Sequence, residues 1–287
     1  MNIADSAYTI NVRGRLLSLA SPQVMGILNV TPDSFYAASR QHGEDEVARR
    51  ADEIVGEGGA IIDVGAFSTR PGAAEVSEAE EIRRLRMALS VVSHRHPDAV
   101  VSVDTFRPDV ARMAVEEYGA AIINDVSEGG RAVGADKPKA SREEMPAMFE
   151  VAARLRVPYV LTSVSSSLPE MLLDLSEDVA LLRSLGVSDI IVDPGFGFGK
   201  DMVQNYRLMG QLDRLLALDL PLLVGVSRKS MLWRLLGSTP EDILHASTAM
   251  HAVALMKGAS LLRVHDVAAA VQACRVVEEV LKYGKEK

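Results

Sequence analysis

Polar side chains capable of chemistry recur in this sequence at one kind of place, the end of a short apolar run. Asn29 closes Val24–Leu28, Asp63 stands within Ala60–Val64, Asp104 closes Val100–Val103, and Asn124-Asp125 follow Ala121–Ile123. Asp193 closes Ile190–Val192, Ser227-Arg228-Lys229 follow Leu222–Val226, and Arg263, His265 and Asp266 gather at the last run, Leu261–His265. Carboxylates and amides offer acceptors and paired donor–acceptor edges, which suit the amide-like edge of a heterocycle such as a pterin. Arg263 and His265 stand two apart, so on an extended strand they point the same way; with Lys229 they suit a phosphate or diphosphate. Any single Asp in such a place, Asp125 or Asp266 for example, reads equally as a cap for the helix that follows. A rim collecting Asp, Asn, Lys, Arg and His from six or seven runs does not reduce to caps.

Other chemistries are excluded by the same residues. Asp193-Pro-Gly-Phe-Gly-Phe-Gly-Lys200 is glycine-rich but lacks Walker spacing and a Gly-Lys-Ser/Thr ending, so it is not a P-loop. With Ser68-Thr-Arg-Pro-Gly72 it offers loop flexibility or close backbone approach instead. The single cysteine, Cys274, excludes an intrachain disulfide and a cysteine metal cluster, and its helical setting reads as packing. His94 and His96 read as cations at a helix C-terminus, and His245 and His251 lack metal-ligand spacing. A net charge of −8 argues against a nucleic-acid partner. The first residues lack a basic start and apolar run, and no stretch is long enough to span a bilayer, so a soluble, cytoplasmic protein is expected.

Elements must place that rim. The runs at 24–29, 60–64, 100–104, 121–124, 158–162, 190–193, 222–226 and 261–265 are nearly continuous in apolar residues, as parallel strands buried on both faces require. Helical spacing occupies Ser77–Arg95, with a capping signal at Ser77 and a stripe of Ile82, Leu85, Leu89 and Val92. It recurs over Pro108–Tyr118, Arg142–Leu155, Pro169–Leu185, Gln204–Ala217, Glu241–Met256 and Val267–Leu281. About eight strand–helix units predict an α/β fold, a (β/α)₈ TIM barrel with all 287 residues in one domain. A doubly wound sheet is the alternative, but Asn29-Val-Thr-Pro-Asp33 stands where its glycine fingerprint would be. Residues 1–20 predict an N-terminal hairpin turning near Arg13-Gly14, as a lid on the barrel bottom.

Taken in order, Asn29-Val-Thr-Pro-Asp-Ser-Phe35, Ser68-Thr-Arg-Pro-Gly72, Ser102-Val-Asp-Thr105, Ile123-Asn-Asp-Val126, Asp193 to Lys200, Gly225-Val-Ser-Arg-Lys229 and Arg263-Val-His-Asp-Val267 resemble the dihydropteroate synthases over nearly the whole chain. The resemblance implies that Asp104, Asn124, Asp193 and Lys229 hold a dihydropterin. It implies that Asn29, Arg263 and His265 hold its diphosphate, with Asn29 beside Mg²⁺. Asp33 on one loop, and Thr69, Arg70 and Pro71 on a second, would close over the site, while Phe198, Lys200 and Ser230 would line a p-aminobenzoate pocket. The implied reaction joins the two substrates by an SN1-like loss of diphosphate, with Asp33, Arg263 and His265 in catalytic roles. Relatives are commonly homodimers, and an apolar face on the last helices would serve. The chain departs from the family pattern at Tyr36–Arg40, at Ala66-Phe67 and at Thr162–Ser167, and the 128–145 stretch reads as an insertion. These departures bear on loop closure, aniline affinity and sulfonamide sensitivity. The competing readings are a pterin-binding barrel that has lost catalysis and a methyltetrahydrofolate:corrinoid methyltransferase.

Overall fold

A computed structural model describes residues 8–30, 40–67, 76–130 and 144–284. Strands β1 (Thr9–Val12) and β2 (Arg15–Ser18) pair antiparallel around Arg13 and Gly14. Both turn residues have positive φ, 56° and 78°, the geometry that matches the twist of a two-residue hairpin.

Eight strands then follow in parallel: β3 (Gln23–Asn29), β4 (Ile61–Gly65), β5 (Val100–Asp104), β6 (Ile122–Asp125), β7 (Tyr159–Thr162), β8 (Ile190–Asp193), β9 (Leu223–Val224) and β10 (Leu261–Val264). Neighbours pair from β8 back to β3, then β3 with β10 and β10 with β9. A parallel bridge between Val192 and Leu222 joins β8 to the start of β9 and closes the ring. The fold is the expected (β/α)₈ barrel.

Alternation along each strand sorts side chains into two cores. Outward residues such as Val24, Ile62, Val101, Ile123, Leu161, Val192 and Leu262 join the helices in one apolar layer. Inward residues Met25, Ile61, Val100, Ile122, Val160, Ile191, Leu223 and Leu261 fill the barrel bottom, together with Ile10, Val12 and Leu19 from the hairpin segment. The hairpin is thus a plug, and each buried aliphatic side chain it contributes is worth about 1.5–3 kcal/mol. Two residues further along the strands, the inward positions turn polar.

The helices of the described residues are α1 (Arg40–Gly56), α2 (Glu78–Arg95), α3 (Pro108–Tyr118), α4 (Ala147–Leu155), α5 (Leu168–Ser184), α6 (Met202–Gly210), α7 (Ser230–Leu236), α8 (Leu244–Met256) and α9 (Val267–Tyr283). α2 starts as its sequence predicts, with Ser77 accepting from the third residue on, and α5 starts at Leu168 on a similar cap at Ser167. α1 has no counterpart in the sequence reading, because only Val47, Ala51 and Ile54 mark its buried face amid charged residues. α4 starts later than Arg142, after Pro146 in extended conformation. The expected helix Gln204–Ala217 breaks after Gly210; Leu212–Leu218 continues as a 3₁₀ helix that buries Leu212 and Leu215, the i,i+3 spacing that such a helix stacks. No helix among the described residues is long and apolar enough to cross a membrane.

His251 lies on the inner face of α8, 1% exposed, with neither ring nitrogen hydrogen-bonded. Burial lowers its pKa from 6.5 to about 4, against the pull of the Asp266 carboxylate. The unfolded chain therefore binds the proton first. The stability of the neutral form is complete above pH 6.5 and is lost as pH falls towards 4, by about 3 kcal/mol. Urea unfolding across this window is expected to show that loss, and His251→Leu to remove His251's share of it. An unchanged acid slope in the variant would refute the assignment.

Candidate active site

The polar inward positions meet at the C-terminal mouth of the barrel. Arg263 on β10 reaches across it, donating from Nε to Asp63 Oδ2 on β4 at 2.6 Å and from Nη2 to Asp104 Oδ2 on β5 at 2.5 Å. Asn124 on β6 donates from Nδ2 to the same Asp63 oxygen at 3.1 Å. Gly65 makes room for this cluster, since a Cβ there would stand 3.2 Å from that of Asp104. Burial raises the Asp104 carboxyl to about 7, helped by the Asp63 charge and opposed by Arg263 and Lys229. The two carboxylates hold the guanidinium firmly charged.

Asp193 at the end of β8 is also raised by burial, although it accepts from Gly195 N at 2.7 Å and feels Lys229, Arg263 and Lys200. It opens the glycine-rich loop. At Gly195, where φ is 67°, a Cβ would come within 2.1 Å of the Ser163 carbonyl, so the loop lies flat on the end of β7. Asn205, buried on α6, accepts from Gly197 N and donates to Lys200 O and Asp201 O, fixing the far side. Lys200 folds back and donates to Gly195 O at 3.0 Å and Phe198 O at 3.1 Å. The Lys229 ammonium stands 4.7 Å from the Phe198 ring centroid, a cation–π contact that joins the expected pterin and arylamine sides. Ser230 follows as the first residue of α7.

His265 lies just past β10, in a cleft of about 170 Å³ shared with Asn29, Glu46, Arg49 and Arg50. Its N–H donates to Ser227 Oγ at 3.1 Å, and its carbonyl accepts from Arg50 Nη2 at 2.5 Å. Arg50 Nε also donates to Ile27 O at 3.1 Å, tying the ends of β3 and β10 together. Burial, then the charges of Arg263 and Arg228, lower the His265 pKa to about 4, so its imidazole is neutral at pH 7.

The expected site residues Asn29, Asp104, Asn124, Asp193, Phe198, Lys200, Lys229, Ser230, Arg263 and His265 all lie at this one mouth. Asp33, Thr69, Arg70 and Pro71 lie outside the described residues. The cap reading of Asp125 and Asp266 gives way to other partners. Asp125 accepts from the N–H groups of Ser127 and Gly129 and the hydroxyls of Ser127 and Tyr159, and Asp266 binds Arg228 through both oxygens. Sequence reading placed Asp63 at the rim without a role, and it missed Arg50, Asn205 and the buried Glu81, whose carboxylate takes Thr105 Oγ1 and Arg107. Strand alternation could have promoted Asp63. Nothing local marks the others.

Residues 25–265 match the family described as pterin binding enzyme. The chain belongs to that family. It is 37% identical to the dihydropteroate synthase of Escherichia coli K12, over 96% of this chain and 97% of that one. Among solved structures it resembles Xanthomonas albilineans dihydropteroate synthase with 4-aminobenzoic acid, with a TM-score of 0.82, 36% identity and coverage of 96% and 98%. The same enzyme in complex with 7,8-dihydropteroate gives a TM-score of 0.81 at 35% identity, covering 95% of this chain and 98% of that one.

For a pterin-binding barrel, Arg263 is the cation on which the mouth depends. Arg263→Ala would strand the buried Asp63 and the half-buried Asp104, at a cost of about 3–5 kcal/mol. Chemical denaturation should show that loss, with Arg263→Lys between it and wild type. Full stability in the alanine variant would contradict this arrangement.

Proposed function

We propose that the chain is a dihydropteroate synthase, joining 6-hydroxymethyl-7,8-dihydropterin diphosphate to p-aminobenzoate and releasing diphosphate. The observation that carries the reading is the state of the barrel's polar layer. Asp63 Oδ1, Asn124 Oδ1, Ser102 Oγ and Thr162 Oγ1 are buried there without hydrogen-bond partners. Buried acceptors are costly unless filled, and these, with Asp104 and Asp193, match the donor-rich amino–amide edge of a pterin.

In this reading Asp63, Asp104, Asn124 and Asp193 orient the ring, and Lys229 spans the ring and the arylamine pocket of Phe198, Lys200 and Ser230. The bond from the pterin methylene carbon to the diphosphate oxygen breaks first, and its electron pair leaves with the diphosphate. Arg263 and the donors around His265 stabilise the growing negative charge. The electron-rich ring spreads the positive charge left on the methylene. The neutral aniline nitrogen then forms the new bond and releases its proton, so no strong base is needed. Asp33, Thr69, Arg70 and Pro71 would cover the site.

Among the described residues no group of three or more His, Cys, Asp or Glu could hold a metal. Asn29, exposed at the end of β3, offers a single amide oxygen. That donor set fits Mg²⁺ arriving on the diphosphate, since Mg²⁺ keeps several waters and binds through few protein groups plus phosphate. When bound, Mg²⁺ would neutralise charge on the leaving group.

We also place the protein in the cytoplasm as a homodimer. Val276, Val280 and Tyr283 form an exposed apolar stripe on α9, 64%, 53% and 56% exposed, and α8, which packs on α9, also exposes Val253 and Met256. Val280→Glu is expected to halve the mass seen by sedimentation equilibrium; a wild-type monomer would refute the dimer.

The deciding assay mixes both substrates with Mg²⁺ and measures dihydropteroate. Lys229→Ala should lower kcat/KM by about a hundredfold, and Asn29→Ala should raise the Mg²⁺ concentration needed. Pterin diphosphate bound by wild type without product would leave a pterin-binding barrel that has lost catalysis.

A further inference from the structure

One buried carboxylate at the mouth has no part in that mechanism. Glu128, in the loop after β6, is fully buried and has φ 55°, the left-handed region that a glutamate seldom occupies. Its loop is held from below by Asp125, which accepts from Ser127 N and Gly129 N. Glu128 Oε2 accepts from Val164 N at 3.1 Å. Val164 belongs to the loop after β7, where the sequence leaves the family pattern, and the glycine-rich loop rests on it. The Ser163 carbonyl packs under Gly195, and the Val164 carbonyl lies 3.6 Å from where a Gly199 Cβ would stand. Lys200 closes the stack by donating to Gly195 O and Phe198 O.

We propose that Glu128 is a positioning residue for the arylamine side of the site, holding the β7 loop through Val164 N and, through that loop, the glycine-rich loop that carries Lys200. This rests on the reading that Phe198 and Lys200 receive p-aminobenzoate, whose carboxylate a charged Lys200 would attract. Three charged groups act on that ammonium. Burial lowers its pKa to about 8, Asp193 and then Glu128 raise it, and Lys229 lowers it further.

Two variants test this. Glu128→Gly removes the carboxylate and suits the left-handed backbone, which offsets part of the loss of the Val164 N contact, so it should still fold. Glu128→Gln keeps an acceptor for Val164 N and removes only the charge. Both are expected to raise the KM for p-aminobenzoate, by about tenfold in Glu128→Gly, while the KM for dihydropterin diphosphate and kcat move far less. With the carboxylate gone, the Lys200 pKa falls, so the alkaline rise in the p-aminobenzoate KM, set near pH 8 in wild type, should move to lower pH in both variants. Equal rises in both KM values with a lower Tm, or an unmoved pH profile, would overturn the proposal. A wild type that binds p-aminobenzoate and forms product while Lys200→Met keeps its p-aminobenzoate KM would instead overturn the pocket assignment on which it rests.

Discussion

A guanidinium shared by two carboxylates inside the barrel is the constraint around which the site is built. Arg263 binds Asp63 and Asp104 at 2.6 and 2.5 Å, and Asp63 is inaccessible to water. At an effective dielectric near 20, each contact is worth about 4 kcal/mol of attraction at 4 Å, which desolvation largely offsets. The cluster is therefore weak evidence of stability. It also carries one negative charge more than Arg263 alone can balance, and burial, helped by the Asp63 charge, raises the Asp104 carboxyl to about 7. A ligand that presents several N–H donors relieves that excess without bringing a second cation. The mouth is thus charged in advance for a donor-rich heterocycle, and the unpartnered oxygens of Asp63, Asn124, Ser102 and Thr162 point to the same conclusion.

Such a cluster survives only above a dry floor. The inward layer below it is wholly apolar, and the N-terminal hairpin seals it with Ile10, Val12 and Leu19. Because side chains alternate strictly along a strand, the residue two places on from each floor residue must also face inward. Ile61 is followed by Asp63, Ile122 by Asn124, Ile191 by Asp193 and Leu261 by Arg263. Placing a polar residue at that step on several strands converts a packed lumen into a site, with no change of backbone.

This alternation explains what was legible in the sequence. Continuous apolar runs gave the barrel, and polar residues at their ends gave the mouth. The hairpin turn was legible because Arg13-Gly14 needs positive φ at both residues. α1 was not, since its stripe is only Val47, Ala51 and Ile54. Glu81, Arg50, Asn205 and Glu128 were not either, because each looks like an ordinary loop or helix-surface residue. Their roles come from partners such as Arg107, His265, Gly197 and Val164, which no local periodicity connects to them.

The electrostatics of the two sides of the mouth differ in a way that fits bond breaking without a base. On the pterin side the acids outnumber the cations, and burial holds Asp104 and Asp193 towards their protonated forms. Around β10 and β3 lie Arg263, Arg228, Arg50 and Arg49, and burial, then the charges of Arg263, Arg228 and Arg50, keep His265 neutral. A neutral imidazole in that company is a dipole whose N–H can face an anion, and it does not compete for a proton above about pH 4. Arg228 is paired with Asp266, and Arg49 and Arg50 with Glu53, so Arg263, shared by Asp63 and Asp104, links the two sides of the mouth. In the proposed reaction, a departing diphosphate would meet Arg263 and this neutral imidazole, and their donors would stabilise the growing negative charge without a base.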